Sequence, residues 1–74
     1  MFQLVDSKVG VRAEFAQLSA AQAALAEWIG VQRKAGEPVV EQRDGQWSDS
    51  KVTIWICDGE SHVIKLPEPA ARAY

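Results

Sequence analysis

VVEQRDGQW at 39–47, KVTIWICDG at 51–59 and ESHVIKL at 60–66 form the stretch whose reading decides the fold. It holds two Asp-Gly pairs, Asp44-Gly45 and Asp58-Gly59, each set among β-prone residues. Asp-Gly between such runs predicts a tight hairpin, because a type I′ turn needs positive φ at both central positions. Between the pairs, Val52, Thr53, Ile54, Trp55, Ile56 and Cys57 are largely apolar at both odd and even positions. Side chains alternate across a strand, so this segment presents apolar groups to two faces of a sheet.

A two-residue turn at Asp58-Gly59 places Cys57 opposite Glu60 and fixes the pairs beyond it. One face then carries Val52, Ile54, Ile56 and Val63. The other carries Thr53, Trp55, Cys57, His62, Ile64 and Leu66. The first set is aliphatic and β-branched, and it is assigned to the helix described next. The second set is left without a cover.

Working outward, residues 1–5 read as a strand and Asp6, Ser7 and Lys8 as a turn. Val9, Val11, Ala13 and Phe15 alternate with Lys8, Gly10, Arg12 and Glu14, the pattern of a half-buried strand. Residues 20–35 are mostly strong helix formers. Leu18, Ala21, Leu25, Trp28, Ile29 and Gln32 fall on one helical face, and the plainest role for Trp28 is core packing. Ser19 with Gln22 matches a capping box, and Gly36 and Pro38 mark the far end. The order is β-β-α-β-β-β. It predicts an α+β fold in two layers, with a single helix packed on one face of a mainly antiparallel sheet. Residues 1–66 form the expected domain, and 67–74, with Pro67 and Pro69, the expected C-terminal tail.

Seventy-four residues make one small domain with a marginal core. The lone Cys57 excludes an internal disulfide, and one Cys with one His cannot complete a zinc cage. Oligomerisation remains as a means of stabilisation. Calcium-loop and phosphate-loop spacings are absent, so no cofactor or metal is expected. No segment reaches the length of a membrane span, and no cationic leader is visible. An unpaired cysteine suits a reducing cytoplasm, and the abundance of Ala, Gln and Arg suits a bacterial protein.

Cys57 and His62 are the sole nucleophile–base candidates. In the expected register they share a face, but His62 stands opposite Trp55 and no third group orients it. A lone Cys acting as a small hydrophobe is the commoner arrangement, so no catalytic role is assigned and no enzyme is expected. Asp44, Asp49, Asp58 and Glu60 read as turn chemistry. Lys8, Arg12, Arg43, Lys51 and Lys65 are interleaved with acids, and the net charge is −2. Nucleic-acid binding is therefore the second reading, a small regulator of the mobile-element or phage accessory type, because polyanion binding rests on clustered cations. The β-β-α-β-β outline occurs in many small bacterial and phage proteins, and an outline does not give function.

The leading expectation is a non-enzymatic interaction protein. It forms a homodimer, or docks on another protein, through the sheet face of Thr53, Trp55, His62, Ile64 and Leu66. A large exposed apolar patch with a Trp at its centre is the mark of such a surface.

Overall fold

The computed structural model describes residues 1–66; the expected tail at 67–74 lies outside the described residues. The elements are β1 (Phe2–Asp6), β2 (Gly10–Phe15), α1 (Leu18–Lys34), β3 (Val40–Arg43), β4 (Gln46–Ser48), β5 (Thr53–Cys57) and β6 (Val63–Ile64). They build the expected α+β architecture, one helix on one antiparallel sheet. The strand order is β2-β1-β5-β4-β3, with β6 also paired to β5. The stretch at 39–47 supplies two short strands instead of one, so the sheet has six.

β5 is the centre. β1 lines one of its edges from Asp6↔Ile54 to Gln3↔Cys57. β4 and β6 divide the other edge, β4 at Thr53 and Ile54, β6 at Ile56 and Cys57. Ile54 and Ile56 point toward α1 and are fully buried with Ala21, Leu25 and Ile29. Leu4, Val39, Trp47 and Leu66 complete the core. Arg33 reaches from α1 across the Trp47 ring, 5.9 Å from its centroid, and donates to the Val39 carbonyl at 2.8 Å.

The helix begins two residues earlier than the capping box implies. Gln17 is its N-cap, with no side-chain cap bond. Gln22 instead donates to the Lys65 carbonyl at 3.2 Å, tying α1 to the segment after β6. At the far end Glu37 N–H donates to Gln32 O and Gly36 N–H to Arg33 O. With Gly36 at φ 89°, this is the Schellman arrangement that satisfies the last helical carbonyls.

Two local features overturn the expected faces, and a third changes only a turn type. In β2 the register shifts by one opposite Leu4 and Val5, where Ala13 faces Leu4 but Val11 faces Val5. The extra residue is Arg12, and a one-residue slip sends every following side chain to the opposite face. Ala13 and Phe15 therefore pack inward, while Val9 and Val11 are 73% and 50% exposed.

The second feature is the Asp58 loop. Asp58 N–H donates to His62 O and Ser61 N–H to Asp58 O, closing a three-residue loop of Gly59, Glu60 and Ser61. Positive φ belongs to Ser61, at 65°, and not to an Asp-Gly centre. Cys57 consequently pairs with Val63, three residues beyond the expected Glu60. Three is odd, so the faces of β6 exchange. Ile64 packs on the core and Leu66 is buried within it, while Val63 turns away.

The third is Asp44-Gly45, which does connect Arg43 to Gln46 in two residues. Only Gly45 has positive φ there, so the turn is not of the type I′ form.

Candidate functional site

The face of the sheet turned away from α1 is where apolar side chains and open surface coincide. Strand alternation from the observed pairs puts three rows on it. The middle row runs Val11, Val5, Trp55 across β2, β1 and β5. One flanking row is Glu14, Gln3, Cys57 and Val63. The other holds Thr53 and Ser48.

The two flanking rows are knit by side-chain hydrogen bonds. Gln3 donates to Glu14 at 3.2 Å, and the Cys57 thiol donates to Gln3 Oε1 at 3.7 Å. The Ser48 and Thr53 hydroxyls lie 2.7 Å apart. The apolar row thus sits between polar groups, Glu14 and Gln3 on one flank and Thr53 and Ser48 on the other, and Val63 extends the apolar surface beyond Cys57. Val5 and Trp55 are half-buried by their strand neighbours, and Val11 and Val63 are exposed.

The expected surface residues separate in the structure. Thr53 and Trp55 lie on this open face. Ile64 and Leu66 do not, because the three-residue register shift turns both toward α1. His62 belongs to the loop, where its Nδ1 stands 3.4 Å from Asp58 and 3.8 Å from Glu60. Val5, Val11 and Val63 take the vacated places. The bulge at Arg12 and the left-handed Ser61 decide this, and neither has a marker in the residue pattern. Cys57 is buried against Gln3 while His62 is solvent-exposed, so the two have different partners. Among the described residues no three His, Cys, Asp or Glu side chains gather as a metal site.

Turn aspartates set the electrostatics. Asp6 Oδ1 accepts from Lys8 and Val9 N–H at 2.8 and 2.7 Å, and Asp49 Oδ1 from Lys51 and Val52 N–H at 2.7 and 2.9 Å. Asp58 Oδ1 accepts from Glu60 and His62 N–H at 2.8 and 2.9 Å. These backbone donors favour the carboxylate and hold all three carboxyls below the usual aspartate value. Arg12 adds to the effect at Asp6, its Nε 3.4 Å away.

The cations do not form one track. Lys8, Arg12 and Lys51 line a cleft at the end of the sheet where β1 finishes and β5 begins. Lys65 lies beyond the other end of β4, 3.6 Å from Asp44. Both sheet edges are blunted: β2 carries its bulge with Arg12 and Glu14, and β3 carries a register shift with Glu41 and Arg43. Bulges and charges of this kind disfavour strand addition at an edge. Compared with protein families, with curated proteins and with solved structures, the chain matches none of them.

Proposed function

We propose that this is a small non-enzymatic interaction protein that self-associates through the open face of its sheet. One observation carries the reading. A single helix covers one side of β5, and the other side bears Val11, Val5 and Trp55 in a row with no second layer over them among the described residues. A two-fold pair of such faces buries the same residues on both copies; two-fold dimers are the commonest oligomers, and oligomerisation is one way for a small domain to gain core. The blunted edges favour face-to-face contact over edge pairing. In this reading the protein works in the reducing cytoplasm of a bacterium, where Cys57 stays a buried thiol.

Sedimentation velocity over a wide concentration range tests it. The wild type should run as a dimer at micromolar concentration. Trp55→Asp should run as a monomer with unchanged helix and sheet content by circular dichroism. A wild-type monomer at every concentration, or a dimer indifferent to Trp55→Asp, would refute the reading.

A further inference from the structure

On the opposite side of the molecule, α1 packs over β1, β5 and β2, and its outer flank faces the β2 edge of the sheet. A hollow of about 470 Å³ lies between them, lined chiefly by Leu4, Ala13, Phe15, Ala24, Trp28 and Val31. It adjoins the cleft of about 390 Å³ at the end of the sheet, and Arg12, Trp28 and Gln32 line both. The two meet at Trp28, and together they make up a groove.

The ends of that groove differ in chemistry. The hollow is walled by aliphatic and aromatic groups, with Glu27 exposed on its rim. The cleft holds three cations and three acids, but they are placed differently. Lys8, Arg12 and Lys51 are exposed, whereas Asp6 is buried and Asp49 and Glu37 are recessed. Each acid is already committed: Asp6 to two N–H groups and Arg12, Asp49 to two N–H groups, Glu37 to the Ser50 hydroxyl at 2.9 Å. The Lys8 ammonium enters no ion pair among the described residues, and that of Lys51 acts on Asp49 only from beyond salt-bridge distance. A ligand thus meets apolar walls at one end and outward-facing positive charge at the other.

We infer that this groove is a binding site for an amphipathic anion, a free molecule with a hydrocarbon body and a carboxylate or similar head. The body lies over Phe15, Ala13 and Val31 against the Trp28 ring. The head sits between Lys8 and Lys51. Sites of this kind are concave and mostly apolar, with a few charged groups that fix orientation. The site is separate from the open face of the sheet, so it stands whether or not the protein dimerises there.

Dodecanoate below its micellar concentration is a suitable probe, followed by amide and indole shifts in two-dimensional NMR of the full chain. Saturable shifts should centre on the Trp28 indole, Ala13 and Ala24. Dodecyltrimethylammonium, with the same tail and the opposite head, should bind at least about fivefold more weakly, as should dodecanoate to the Lys8→Glu/Lys51→Glu double variant. Val31→Glu, an exposed helix position, should abolish the shifts while leaving the spectrum folded. Anionic phospholipid vesicles should not compete. Shifts centred on Trp55 and Val5, equal affinity for the two heads, indifference to the lysine variants, or binding to vesicles without binding to the monomer would each overturn the assignment.

Discussion

Asp44-Gly45 and Asp58-Gly59 are the same dipeptide put to opposite uses. At the first, glycine does the structural task. Gly45 is buried at φ 81°, and a Cβ there would stand 2.8 Å from Val63 Cγ1 and 3.1 Å from the Ile64 carbonyl. It lets the β3–β4 turn press against β6, where two strands share one edge of β5. Asp44 is almost wholly exposed and, among the described residues, pairs with Lys65. At the second, the roles reverse. Gly59 has open space around its Cα and needs no unusual backbone angle, while Asp58 gathers the N–H groups of Glu60 and His62. Identical local sequence thus yields different turns, because the packing partner of the first and the side-chain cap of the second decide the outcome.

Substitutions that exchange the roles test this contrast. Gly45→Ala should have the largest effect, a loss of about 2–4 kcal/mol in chemical denaturation, from positive φ strain and overpacking together. A loss under about 1 kcal/mol would show that the turn relaxes away from Val63 without consequence.

Asp58→Ala comes next. It should lower the thermal midpoint by less than Gly45→Ala does, and in a pH-dependent way. The folded carboxyl titrates below its ordinary value of 3.8, so its stabilisation is fully present above the unfolded value and disappears as pH falls through the folded one. The gap between wild type and variant should therefore be constant near neutrality and close in acid below that value. A gap that persists unchanged at low pH would mean that the carboxylate is not the cap.

The mirrored pair should be nearly silent. Gly59→Ala should be neutral or stabilise by about 0.5 kcal/mol, because it restricts only the unfolded chain. Asp44→Ala should stay within about 0.5 kcal/mol, the scale of an exposed ion pair. A substantial loss at either position would erase the distinction between the two turns.

The same contrast explains what could be read in advance. The helix was legible because Leu25 and Ile29 recur at helical spacing and Gly36 marks its end. The two-layer α+β architecture followed, since five short strands and one helix have few other arrangements. The sheet face beside Trp55 was legible only in part. Thr53 and Trp55 keep their place because β5 is read directly from alternation. Ile64 and Leu66 exchange faces with Val63 because Asp-Gly signals a two-residue loop, while the side chain of Asp58 supports a longer one. Val11 comes to the open face through an extra residue at Arg12, which no alternation rule detects. The groove beside Trp28 was hidden for another reason: a helical stripe shows which residues face a sheet, not the shape of the space left at its flank.

The central place of β5 also has a consequence for the protein's birth. β1 and β2 emerge from the ribosome first, then α1, then the β3–β4 hairpin, yet none of these hairpins pairs with the other. Until residues 53–57 arrive, Leu4 and Trp47 belong to separate fragments, and β1 and β4 each expose an unpaired edge. The insertion of β5 between them spans a long separation along the chain and is the step that closes the interior. Nascent chains halted before that point carry sticky strands without a finished sheet, and they are the species that a cell must shelter from aggregation.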